Sequence, residues 1–190
     1  MNQDQLQALL TKVQQGALAV PDALHRLRTL PYENLGFASL DHHRALRQGF
    51  PEVIFCEGKT VSQVVAIAKT LLRKNNALLA TRVEPSVARA LLRVSKRAVY
   101  HEAARVVAIA PPKLVRRGAV LIVTAGTADI PVAEEARVTA DIMGSKTDTL
   151  YDVGVAGLHR LLGQQERLHD ARALIVVAGM DGVLPSVVGG

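Results

Sequence analysis

The chain has 190 residues, 49 % of them apolar, and a formal net charge of +6, which suits one domain or two small ones with room for a core. It holds no apolar run of the ~18 residues a membrane span needs. The opening Met1-Asn2-Gln3-Asp4-Gln5 lacks the basic-then-apolar order of a secretion signal, and the single Cys56 rules out an intrachain disulfide and a Cys/His zinc spacing. A cytoplasmic protein with no membrane partner is expected. The charge asks for an anionic partner, but six aromatics without basic neighbours do not suit stacked nucleic-acid strands; a phosphate-bearing small molecule is the expected ligand.

Residues 2–15 read as a helix with Leu6, Leu9, Leu10 and Val13 on one stripe, and Pro21-Asp22 opens a second through Leu24, Leu27 and Leu30. Pro31-Tyr32-Glu33-Asn34 breaks the pattern, and residues 35–47 show no clear period, which predicts a loop with short elements. A strand over 51–56, a helix from Lys59-Thr60 to about Lys74, a strand over 77–82, a helix over 85–96 and a strand over 105–110 predict a small βαβαβ unit. Pro111-Pro112-Lys113-Leu114-Val115-Arg116-Arg117-Gly118 is proline-rich and basic, the pattern of a linker. The expected division is an N-terminal α/β domain at 1–110, a linker at 111–118 and a second domain at 119–190.

The second domain carries the strongest signal. The β-branched run Ala119-Val120-Leu121-Ile122-Val123-Thr124 stops at Ala125-Gly126-Thr127, and Pro131 opens a helical pattern, as where a buried parallel strand meets a phosphate-facing turn. The same arrangement returns 53 positions later, where Ile175-Val176-Val177-Ala178-Gly179 is followed by Asp181 and Pro185. Two like-ended strands place two glycine corners at one rim of a parallel sheet, and open α/β sheets bind ligands at that rim. The expected order is strand 119–124, helix 131–143, strand 147–151, helix 153–168, strand 173–178 and a helix opening at Pro185. Three parallel strands make a truncated doubly wound sheet.

Gly126 and Thr127 offer backbone N–H groups and a hydroxyl to an anion beside a helix N-terminus, and Asp129 is placed to accept ribose hydroxyls or to cap the helix. Asp152 reads as an N-cap. His159 and Arg160 follow two turns later and point apart, while Gly154 and Gly157 imply close packing or close ligand approach. Asp181, in Met180-Asp181-Gly182, either holds Mg²⁺ beside phosphates or belongs to an ordinary exposed turn. Glu134 and Glu135 are adjacent, so they serve the helix dipole rather than one shared site. His42-His43 diverges in the same way, and Cys56 ends an apolar strand and is expected to be buried and inert.

Taken together, residues 124–136, Asp152-Val153-Gly154-Val155-Ala156-Gly157-Leu158-His159-Arg160 and residues 178–190 closely resemble the LarB family. Leu35-Gly36-Phe37-Ala38, Asp41, Arg44, residues 47–53 and Gly58-Lys59-Thr60 resemble that family's first domain. LarB proteins are related to the aminoimidazole ribonucleotide carboxylase PurE. The resemblance implies an α/β fold: a small N-terminal βαβ-type domain, then a truncated flavodoxin-like, PurE-like, three-layer domain.

It also implies a carboxylase and hydrolase of nickel-pincer nucleotide cofactor biosynthesis. Such an enzyme carboxylates the pyridinium ring of nicotinic acid adenine dinucleotide with CO₂ or bicarbonate and releases AMP by phosphoanhydride hydrolysis. The product, pyridinium-3,5-biscarboxylic acid mononucleotide, serves lactate racemase maturation. Family members act with Mg²⁺, assemble as octamers, and continue past the double glycine with further strands and a nucleophilic cysteine for which Cys56 is no substitute. By resemblance, Gly126, Thr127, Asp129, Asp152, His159, Arg160 and Gly179 bind substrate, and Asp181 stands where an acid engages metal and phosphate. Two alternatives stay open: a PurE-like carboxylase of purine synthesis, disfavoured because Val183 stands where PurE has its proton-shuttling histidine, and an inactive nucleotide-binding fragment.

Overall fold

The computed structural model describes residues 3–27 and 32–190. Helix α1 (Gln3–Gln14) packs on α2 (Val20–Leu27), and of the expected stripe only Leu9 is buried. Leu30 and Pro31, at the end of the second expected helix, lie outside the described residues. The unperiodic stretch that follows holds a two-stranded hairpin, β1 (Glu33–Asn34) with β2 (Ser39–Leu40), and the short helix α3 (Arg44–Gln48). One carboxylate pins this hairpin down: Glu33 meets the fully buried His42 at 3.1 Å, Arg73 at 3.0 Å and Lys74 at 3.2 Å.

The first sheet departs from the expected all-parallel unit. Strand β3 (Ile54–Phe55), helix α4 (Val61–Lys74) and strand β4 (Leu78–Thr81) form the predicted parallel crossover, with Thr60 capping α4 through a reciprocal bond to Gln63. Helix α5 (Pro85–Val94) then delivers β5 (Val99–His101), which the sequence reading missed, and the turn at 102–105 sends β6 (Val106–Ile109) back antiparallel to both β5 and β4. The sheet order is β3-β4-β6-β5. A parallel neighbour needs a crossover of a dozen or more residues; α5 supplies one for β5, but four residues between β5 and β6 permit only a hairpin. Leu78, Ala80, Val107 and Ile109 face α4 and α5, and Leu79, Val106 and Ala108 face the opposite way.

The second sheet comprises β7 (Arg117–Thr124), β8 (Ser145–Leu150) and β9 (Ala173–Val177), all parallel in the order β8-β7-β9. Helix α6 (Ile130–Ile142) returns the chain from β7 to β8. The second connection crosses by α7 (Leu158–Leu162) and α8 (Gln165–Asp170), and α9 (Leu184–Gly189) follows β9. Residues 153–168 do not form the single expected helix: Gly157 and Gly163 interrupt it, leaving a 3₁₀ turn at Val155–Gly157 and two short helices, in keeping with the cost of helical glycine. Leu121, Val123, Leu150, Leu161 and Leu184 make the core on this side. Strand β9 is an edge of the sheet, with Ala173 and Leu174 exposed.

Helix α6 belongs to both halves. It packs on β7, β8 and β9, and through Val138 and Ile142 it also joins the core of Phe50, Leu79, Val106 and Ala108 beneath the first sheet. Its buried residues are Ala133, Val138 and Ile142. Two ion pairs add to the junction, Arg82 to Glu135 at 2.8 Å and Arg116 to Asp141. Because one helix completes two cores, urea unfolding monitored by circular dichroism and by protease resistance of each half is expected to show one shared transition. Ile142→Ala is expected to destabilise both halves together by ~2–5 kcal/mol; loss from one half alone contradicts the shared-helix account.

Candidate functional site

Flavodoxin-like sheets bind ligands outside the carboxyl ends of the strands, where successive crossovers leave in opposite directions. The order β8-β7-β9, with α6 on one face and α7 and α8 on the other, puts that point between β7 and β9. Both glycine corners sit there. The N–H of Ala125 donates to the carbonyl of Val177 at 3.0 Å, so the strands stay paired to the brink of the turns.

One side chain joins the two corners. The Asp129 carboxylate accepts the Gly126 N–H at 2.9 Å through Oδ2 and the Gly179 N–H at 3.0 Å through Oδ1. The Gly126 N–H that the sequence reading offers to a phosphate is thus held by an internal anion, and Asp129 is a clamp across the corners rather than an ordinary cap. Each carboxylate oxygen keeps a second acceptor site, so the group remains competent to receive hydroxyls. Thr127 beside it is exposed, and its hydroxyl has no partner among the described residues.

The middle corner is built by close approach. Thr124, fully buried at the end of β7, accepts the Asp152 N–H on its hydroxyl at 3.0 Å and the Val153 N–H on its carbonyl at 3.0 Å. Gly154 donates to the carbonyl of Ala125 at 2.8 Å, and a Cβ on Gly154 would stand 2.6 Å from that oxygen; only glycine fits. Asp152 is not the N-cap expected. It adopts a left-handed φ of 59°, Gly154 caps the following turn instead, and the Asp152 carboxylate takes the Arg160 guanidinium at 2.7 Å. A Cβ on Gly157 would lie 2.6 Å from Arg160 Nε, so the missing side chain is what lets the arginine fold across. His159 is exposed and does not share this contact.

At the third corner Asp181 accepts the N–H of Val183 at 3.1 Å next to the left-handed Gly182, the geometry of an exposed turn. Among the described residues no three His, Cys, Asp or Glu side chains converge as a metal group would require. Asp181 is a single carboxylate at an exposed turn, so any Mg²⁺ it engaged would need substrate phosphates and water for its other ligands. Cys56 is 4 % exposed and burial pushes its thiol up to about 11, as an inert core cysteine requires.

The sequence reading gave no site role to Thr124 or Tyr151. Thr124 closes an otherwise apolar run, and that polar end was the available signal. Glu134 and Glu135 fall in the second turn of α6, because the helix begins at Ile130, and so they do not serve its dipole. Glu134 takes Arg137 through two bonds of 2.8 Å and the Tyr151 hydroxyl, while Glu135 reaches Arg82. Tyr151 leads directly into Asp152, so Glu134 fixes the approach to the middle corner.

Arg137 holds the Glu134 carboxyl below its usual range, and Arg116 does the same to Asp141. Both groups bind protons more readily when unfolded, so their contribution is present above the ordinary carboxylate range near pH 4.5 and is lost as pH falls through the lower folded values. Denaturation midpoints are expected to fall with acidification in that window, less steeply in Glu134→Gln. Gly154→Ala forces the corner off β7 and is expected to cost ~1–3 kcal/mol by the same measurement.

Comparisons with known proteins agree with this architecture. Residues 32–111 match the LarB/PurE-like N-terminal domain. An uncharacterized protein of Methanocaldococcus jannaschii is 34 % identical over 194 residues, an alignment that covers 96 % of this chain and 75 % of that protein. With a mixed α/β fold, a matched first domain and a relative aligned along nearly its whole length, the chain belongs to the LarB family.

Proposed function

We propose that the rim between β7 and β9 binds nicotinic acid adenine dinucleotide, and that the protein takes part in carboxylating its pyridinium ring with bicarbonate and releasing AMP, a step of nickel-pincer nucleotide cofactor synthesis. The observation that carries this reading is the Asp129 clamp, which brings two glycine corners to the switch point of a parallel sheet. There Asp129 accepts ribose hydroxyls on its remaining lone pairs, and the Thr127 hydroxyl donates to phosphate. Arg160 exchanges Asp152 for a phosphate oxygen pair, the anion its planar fork suits best.

Family membership favours a carboxylase in general, and Val183 supports one of the two chemistries over the other. Its side chain is exposed beside the third corner and has no proton to shuttle, which weighs against the purine-pathway reaction. Cys56 lies in the core of the first sheet, so it is not the thiolate that adds to the ring.

Incubation of the full-length gene product with the dinucleotide, bicarbonate and Mg²⁺ should release AMP and leave a mononucleotide heavier than nicotinic acid mononucleotide by one CO₂ in mass spectrometry. A carboxylated aminoimidazole ribonucleotide formed instead would transfer the protein to the purine reaction. In calorimetry, Arg160→Ala should weaken dinucleotide binding by ~1.5–3 kcal/mol, roughly ten- to a hundredfold. An unchanged affinity removes Arg160 from the site.

A further inference from the structure

The positive charge that called for a phosphate ligand is not at the rim. Residues 119–190 hold nine carboxylate side chains and five basic ones, while residues 1–118 hold eight and eighteen. Between Gly58 and His101 nine basic side chains stand against one acid, Glu84. Some of the nine serve the fold: Arg73 and Lys74 hold Glu33, Arg82 reaches Glu135, and Arg97 donates to the carbonyls of Asn76 and Ala110. Lys69, Arg89, Arg93 and Lys96 are exposed and have no ion-pair partner among the described residues. Like charges crowded on one surface repel, and the substrate reading leaves them unexplained.

These cations border an opening in the helical layer. Where α4 passes the end of α5 the surface holds a groove of about 600 Å³. Ala66, Leu72 and Val94 give it apolar walls, and Lys69 and Arg73 line it with no carboxylate among the lining residues. Lys69 and Arg73 are four apart, hence neighbours on one face of α4, and the Arg73 side chain stays 65 % exposed while its Nη2 serves Glu33 and Thr70. On α5, Arg93 precedes the wall residue Val94, and Lys96 follows it by two.

An occupant must therefore bring anions to the lips and apolar side chains to the walls. Nucleic acid brings only the first: its phosphates carry nothing for an apolar wall, and its bases need aromatic platforms. Residues 58–101 hold one aromatic, Tyr100, which packs against the core. An acidic amphipathic helix brings both, since its apolar side chains recur every three or four residues with carboxylates beside them.

We propose that the groove between α4 and α5 docks an acidic amphipathic helix of a partner protein, its apolar stripe against Ala66, Leu72 and Val94 and its carboxylates meeting Lys69, Arg73 and Arg93. The cationic lips steer the helix in and set its direction, while the walls exclude segments that are merely acidic. This surface belongs to the first sheet, and its occupancy does not depend on what the rim binds.

Fluorescence anisotropy with labelled synthetic helices and the full-length gene product tests the proposal. One probe carries leucines along one face with glutamates flanking them; a second has glutamine for the glutamates, a third has serine for the leucines, and a fourth is duplex DNA. The first should bind most tightly at low salt, because exposed charges are screened over about 8 Å at physiological ionic strength. The second and third should each bind roughly tenfold more weakly, and Lys69→Glu with Arg93→Glu should weaken the first by a similar factor while keeping the wild-type circular dichroism. No binding of the first probe, equal binding of either substituted peptide, an unaffected double variant, or tighter binding of duplex DNA overturns the proposal. Dinucleotide affinity is measured separately, so a failure at the rim and a failure at the groove are told apart.

Discussion

Asp129 is the constraint on which the candidate site depends. Two strands ending in glycine corners do not by themselves make a site, since corners with free N–H groups would splay in water. A single carboxylate with one oxygen on each corner turns two loops into one rigid rim, and hydrogen bonds to a charged acceptor are about twice as strong as neutral ones. The clamp also sets limits on the corners. Gly179 is held where a Cβ would sit 3.1 Å from Asp129 Oδ1, so a side chain there would press the carboxylate back from the corner.

A second layer of restraint surrounds the clamp and comes from both halves of the chain. Glu134 and Glu135 leave α6 in different directions, one to Tyr151 beside the middle corner, the other to Arg82 at the end of β4. Arg82 and Arg105, two of the three non-glycine residues with left-handed backbones among the described residues, meet at this junction, where the Val83 N–H donates to the Arg105 carbonyl. The third is Asp152. Strained backbone of this kind persists where the surroundings over-determine it, and here the surroundings are helix α6 and the turns it supports.

The sequence made the second sheet readable because its strands are buried on both faces and so appear as unbroken apolar runs. Alternation within β4 and β6 was invisible for the same reason, and the hairpin at β5 was lost because three residues are too few to show a period. Asp129 was recognised as a residue that accepts hydrogen bonds, but its partner Gly179 is fifty residues away and no spacing rule links them. The pairing of Asp152 with Arg160 likewise depends on Gly157 lacking a side chain, a three-dimensional clearance. Composition gave the net charge correctly and misassigned it, since a sum over the chain carries no address; the cations lie on α4 and α5, while the rim is bordered by carboxylates.

The exposed strand β9 has a consequence for handling the molecule. Ala173–Val177 contains no proline and no charge, the features by which most proteins discourage an outer strand from recruiting a neighbour. On the side where no described strand pairs with it, and at Leu174, it presents a template onto which another extended segment can zip. Concentrated preparations therefore face a route to insoluble fibrous material that added salt will not suppress.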